Sequence, residues 1–109
     1  MPWLVRDGHV LASLVIATSH RDRRTGLLGQ DGFEGALLLR PCRSVHTLGM
    51  KFAIDVAHLD DELTVLHATT MKPWRVGGWH RKAHAVLEAE AGAFASWDLH
   101  VGDALEVRE

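Results

Sequence analysis

Four side chains that can carry charge or move protons, Arg43, His46, Lys51 and Asp55, fall close together in one short run. That run, Arg43-Ser44-Val45-His46-Thr47-Leu48-Gly49-Met50-Lys51-Phe52-Ala53-Ile54-Asp55, mixes glycine, apolar anchors and polar groups too irregularly for a plain amphipathic strand or helix. Such a composition suits a fixed loop that displays a few polar groups. His46, beside Thr47, could serve as a general base, as a ligand donor or as a capped loop histidine. Asp55 sits between Ile54 and Val56, so its carboxylate is either on an exposed strand face or paired inside. Burial would demand Arg, Lys or backbone donors, because an unpartnered buried charge is costly. Arg23, Arg43 and Lys51 are the cations within reach of the argument, and the pair would be either a structural tie or a ligand-binding pair. Cys42 stands four residues before His46, a weak hint of thiol chemistry, which needs a base nearby to lower the thiol pKa.

Other chemistries are disfavoured. There are eight His, and Cys42, His46, Asp55, His67, His80 and His84 are possible metal ligands. They form no His-x-His or Cys-x-x-Cys pair, and Cys42-x3-His46 and His80-x3-His84 are loose, so the expectation is no metal and no cofactor. Ser44 lacks the Gly-x-Ser-x-Gly context of a nucleophile elbow, and no glycine-rich phosphate loop is present. The formal charge of -2 argues against nucleic acid, whose binding rests on a clustered basic face. One cysteine allows no internal disulfide. The apolar run Val10–Ala17 is eight residues long and follows an Asp7-Gly8 turn, so it reads as a hairpin strand and not as a signal or a membrane span. A cytoplasmic monomer with no membrane partner is the expectation.

The elements that must hold these groups are short. Residues 1–109 read as a single domain. Strands are expected over Trp3–Arg6, His9–Ala17, Gly35–Leu39, Phe52–Leu59, Leu63–Thr69, Ala83–Ala91 and Ala104–Val107, punctuated by Asp7-Gly8, Pro41, Asp60-Asp61-Glu62 and Gly102-Asp103. Val10–Ala17 is so continuously apolar that burial on both faces is expected. Short helices are expected over His20–Thr25, after a Thr18 or Ser19 cap, and from Gly92 to Trp97. Cys42–Met50 and Lys72–Lys82 read as loops, the second carrying Trp74 and Trp79 beside Gly77 and Gly78. The fold class is mainly β: a compact sandwich or barrel of about seven strands and two short helices.

Three ordered blocks resemble the uncharacterised domain of unknown function 192 family, covering residues 19 to 107: Arg23-Arg24-Thr25-Gly26-Leu27-Leu28-Gly29, Val45 to Asp55, and Glu88-Ala89-Glu90-Ala91-Gly92 followed by Leu99-His100-Val101-Gly102-Asp103-Ala104-Leu105. The resemblance implies a compact, sandwich-like β domain with short helices and no settled activity. Many members carry Trp-Met-Lys-Asn-Thr where this chain has Gly49-Met50-Lys51-Phe52, and a basic residue where Gln30 stands, departures that bear on what the loop would bind.

The favoured function is a non-catalytic module binding a small molecule, saccharide or protein, with Arg23, Arg43, His46, Thr47, Met50, Asp55, Trp74 and Trp79 as candidate ligand-binding residues. The alternative is a hydrolase or metal-assisted enzyme using His46 and Asp55, with Cys42 as a further candidate. Both readings require these groups to meet at one open hollow.

Overall fold

A strand can bury both faces only in the middle of a sheet that is covered on two sides, and three strands of this chain do so. They are β3 (Ala36–Leu39), β5 (Ile54–Leu59) and β8 (Ala85–Glu90), buried at every position but Glu90. The computed structural model describes residues 2–19, 27 and 30–109. With β1 (Trp3–Arg6), β2 (His9–Ala17), β6 (Val65–Met71) and β9 (Glu106–Arg108) the three form a seven-stranded sheet. Its order is β6-β5-β8-β3-β2-β1-β9, antiparallel except for the β2–β3 pair. The far edges nearly meet. Thr64 bridges Ala104, and Leu105 N–H donates to the Leu63 carbonyl at 3.0 Å, so the curled sheet approaches a barrel.

All seven expected strands belong to this sheet, and the mainly β class is what the chain adopts. Two further strands, β4 (Ser44–His46) and β7 (Val76–Trp79), pair as a separate antiparallel ribbon within the stretches expected to be loops. The helix expected from Gly92 is α1 (Ala93–Ser96), entered through Gly92 at φ +98°, a left-handed conformation that glycine adopts without strain. The helix expected over His20–Thr25, with Arg23, lies outside the described residues. Among the described residues no helix is long and apolar enough to cross a membrane.

The sheet's two faces pack against different material. Inside the curl lie Leu4, Leu14, Leu38, Ala57, Leu59 and Leu87, plugged at one end by Phe94 of α1. On the outer face Leu37, Ile54, Val56 and Val86 pack beneath the ribbon's Val45 together with Leu27, Met50 and Met71. Among the described residues this outer cover takes in Ala17 at the end of β2 but not Val10 and Val15, which are 59% and 51% exposed, so β2 does not bury both faces as its apolar run suggests. Apolar content identified the strand; the extent of the overlying ribbon decides which side chains are covered.

Candidate functional site

Register decides where Asp55 points. It pairs with Thr70 and Ala89 across the sheet and shares the inner face with Ala57. There it is almost wholly buried, and its carboxylate meets donors rather than a cation. Thr70 Oγ1 donates to Oδ1 at 2.6 Å, while the Gly92 and Phe94 N–H groups donate to Oδ2, each at 3.0 Å. Asp55 thus caps the first turn of α1 from a neighbouring strand, satisfying backbone donors that a short helix leaves open. Beside it lies a depression of about 200 Å³ lined by Ala68, Thr69, Thr70, Phe94 and Ala95.

The other candidates lie across the sheet. Arg43 Nε donates to the Ala83 carbonyl at 3.1 Å, and Lys51 pairs with Asp31 at 3.3 Å, so neither is the partner of Asp55. Thr47 is fully buried and clasps two turns together. Its hydroxyl donates to the Lys72 carbonyl at 2.6 Å and accepts from Arg75 N–H at 2.9 Å, while its own carbonyl accepts from Trp74 N–H at 2.8 Å. Met50 is buried in the outer core. His46 is exposed at the end of β4, where Nδ1 accepts from Leu48 N–H at 3.2 Å. Arg43, His46 and Asp55 therefore do not share the hollow that both readings required. The first two flank the ribbon over the outer face, Asp55 is buried at the wall of the inner depression, and a binding surface has to be sought on the ribbon without it. Among the described residues no three His, Cys, Asp or Glu groups gather closely enough to hold a metal ion.

What the structure does assemble is the ribbon surface. Its one end presents Leu48, Trp74 and Val76, the last two 65% and 77% exposed, and Trp74 holds a left-handed backbone at φ +63°. Its other end presents Trp79, 63% exposed, over an open groove of about 480 Å³ lined by Leu66, Trp79, His80, Arg81 and Lys82. Arg43, Lys51, Lys72, Arg75, Arg81 and Lys82 flank the two ribbon strands, while no Asp or Glu occurs from residue 40 to 54 or from 63 to 87. Of these six cations, Lys51 is paired with Asp31, so the net charge of -2 hides a local excess of cations carried by the segments that bear the ribbon.

Beneath the ribbon two titratable groups are poorly accommodated. His58 Nε2 donates to the Gly78 carbonyl at 3.1 Å, and among the described residues Nδ1 is buried with no hydrogen-bond partner of good geometry. Burial holds its pKa below the usual 6.5, against the Gly78 and Arg43 carbonyls, and the nearby His67 and His80 rings push the same way as burial. Glu88, between Leu37 and Val56 on the outer face, has its carboxyl pushed up to about 7 by burial. Neither group stands out in the sequence, although the acid-free stretch around the ribbon is visible there.

The chain matches the family model of domain of unknown function 192, described as "Uncharacterized ACR, COG1430", over residues 3–107, and belongs to that family. It is 40% identical over 63 residues to the UPF0127 protein PF1050 of Pyrococcus furiosus, a match covering 58% of this chain and 54% of that protein. The chain thus spans about half the length of that relative. The UPF0127 protein PH1112 of Pyrococcus horikoshii is 29% identical over 96 residues, 84% of each chain. The same fold occurs in a crystal structure of a Novosphingobium aromaticivorans protein of unknown function, with a TM-score of 0.81, 17% identity and coverage of 96% of this chain and 82% of that one. It occurs again in a Sinorhizobium meliloti protein whose description suggests a transcription regulator, with a TM-score of 0.83, 17% identity and coverage of 97% and 91%.

Proposed function

We propose that this member of the domain of unknown function 192 family is a non-catalytic binding module that presents the β4–β7 ribbon to a protein or saccharide partner carrying negative charge. The observation that carries the reading is the segregation of charge around exposed indoles. Trp74 and Trp79 stand out of the surface among Arg75, Arg81 and Lys82, with no acidic residue from 63 to 87 to neutralise them. Indole rings offer large contact area with a polar edge, and a one-signed field steers a complementary partner onto it. The Thr47 clasp fixes the turn that bears Trp74, so little ordering entropy is lost on binding. Against the hydrolase reading stands Asp55, whose oxygens are taken up by Thr70, Gly92 and Phe94 away from His46.

The test is retention on immobilised poly-glutamate at low ionic strength. The wild-type protein is expected to bind despite its net negative charge and to elute with salt. The quadruple charge reversal Lys72→Glu, Arg75→Glu, Arg81→Glu, Lys82→Glu, checked for folding by circular dichroism, is expected to flow through. Flow-through of the folded wild-type protein refutes the reading.

A further inference from the structure

The strand at the open side of the sheet, β6, borders both of the depressions described above. At its beginning it is bridged by residues 102–105, but from Leu66 onward it pairs with β5 alone among the described residues. An unpaired edge is a row of backbone donors and acceptors that proteins usually guard with charges or proline. Leu66-His67-Ala68-Thr69-Thr70 contains neither Lys, Glu nor Pro, and its one bulge, at Leu66, protects only its start. The Trp79 groove opens beside Leu66 on the outer face, and the Phe94–Ala95 pocket opens beside Ala68, Thr69 and Thr70 on the inner one.

Those two positions suit an added strand. Side chains of a strand alternate between faces, so residues an odd number apart enter opposite faces, and at 3.4 Å per residue three steps span roughly 10 Å. Beyond the bulge at Leu66, His67 pairs with His58 on the outer face and Thr70 with Asp55 on the inner one, three positions apart along the edge. An incoming strand would send one side chain into the groove of His80, Arg81 and Lys82, and another into the pocket of Phe94, Ala95 and the Thr70 methyl. We propose that the β6 edge takes an extended acidic segment of a partner protein as an additional antiparallel strand. An acidic side chain sits against Arg81 and Lys82, and an aliphatic one three residues earlier fills the Phe94–Ala95 pocket. Backbone pairing supplies affinity and the two side-chain sites supply choice, as in other strand-addition complexes. A second copy of this chain fits the edge poorly, because residues 66–70 offer no acidic side chain to Arg81 and Lys82. This inference rests on the binding reading above and gives its partner a chemistry and a mode of docking.

The probe is the capped peptide Thr-Thr-Val-Thr-Thr-Glu-Thr-Thr, followed by NMR and amide hydrogen exchange. Binding is expected to shift and slow exchange of the amides of residues 66–71. The same peptide with alternate backbone nitrogens methylated is expected not to bind. Exchanging its Glu for Lys should weaken binding by roughly tenfold, and the Arg81→Glu, Lys82→Glu protein should prefer the Lys peptide. Equal binding of the methylated peptide, or shifts confined to residues 46–50 and 72–76 with β6 unmoved, overturns strand addition while leaving poly-glutamate retention, and so the broader reading, standing. Concentration-dependent self-association that perturbs the same amides overturns it in favour of self-pairing. Loss of poly-glutamate retention by the wild-type protein removes both.

Discussion

The two faces of the seven-stranded sheet handle awkward groups in opposite ways, although the strands are the same. On the inner face Asp55 is 3% exposed and accepts from one hydroxyl and two backbone amides. On the outer face, Glu88 stands on β8 directly across from Val56, the residue after Asp55, and is 6% exposed. Burial alone drives its carboxyl up to about 7. Among the described residues His58 Nδ1 has no hydrogen-bond partner of good geometry on that same outer face, and Trp74, at the far end of the ribbon, holds a left-handed backbone in full view of solvent. Burial is comparable for the two carboxylates, so the difference lies in the donors supplied. The inner face is built for stability; the outer face retains local conflicts of the kind that collect near working surfaces.

If that contrast holds, substitutions on the inner face should destabilise and those on the outer face should stabilise. The largest effect is expected at Asp55. Asp55→Ala strands the Gly92 and Phe94 amides and the Thr70 hydroxyl at the mouth of the inner core, a loss of about 3–5 kcal/mol read as a lower midpoint in urea denaturation. A loss below about 1 kcal/mol would mean that water replaces the carboxylate there and that the inner face is less settled than its hydrogen bonds imply.

Glu88 should move the other way. Its folded pKa of about 7 lies above the ordinary 4.5, so between those values the native state holds a proton that the unfolded chain has lost. Stability then falls as pH rises through that window and stays low above it. Glu88→Gln removes the penalty, and at pH 8 it should gain about 3 kcal/mol, taking 1.36 kcal/mol per pKa unit, with no gain at pH 4. Urea denaturation at the two pH values checks this. A gain that does not depend on pH would place its cause outside this carboxyl's ionisation.

The scaffold was legible where one period held over several residues. All seven strands of the large sheet fall, within two residues at their ends, where apolar runs, alternation and turn residues put them, and α1 begins at the glycine that bounds it. The ribbon was not legible, because Gly77 and Gly78 within four residues read as a loop. Its strands form only because Val45 packs on the outer core and Thr47 clasps the turn, contacts that are distant in sequence. The candidate site fared unevenly for a related reason. Sequence allowed Asp55 to be paired inside with backbone donors, and that is its state, but nothing local tells which face of β5 residue 55 occupies. A shift of one residue in register would have turned it toward the ribbon beside Arg43 and His46. Trp74 and Trp79 were recognisable as exposed from the turn residues around them. The local excess of cations was hidden by a net charge averaged over the chain.

The smallest expected effect is the most direct probe of the outer face as a working surface. A tryptophan at φ +63° carries the crowding that L residues meet in the left-handed region, which glycine escapes, while glycine gives back part of that advantage through its freer unfolded chain. Trp74 is 65% exposed, so its removal takes little apolar contact from the core. Trp74→Gly should therefore leave the fold as stable or more stable, by about 0.5 kcal/mol, a gain that chemical denaturation can resolve only with matched slopes. The same variant should elute from poly-glutamate at lower salt than the wild-type protein, because the indole contact is gone while every cation remains. Stability rising as binding falls is the signature of a side chain kept for contact with a partner. A loss of more than about 1 kcal/mol would instead show that Trp74 packs the clasp around Thr47. The strain would then belong to the architecture, and the contrast between the two faces would rest on Glu88 and His58 alone.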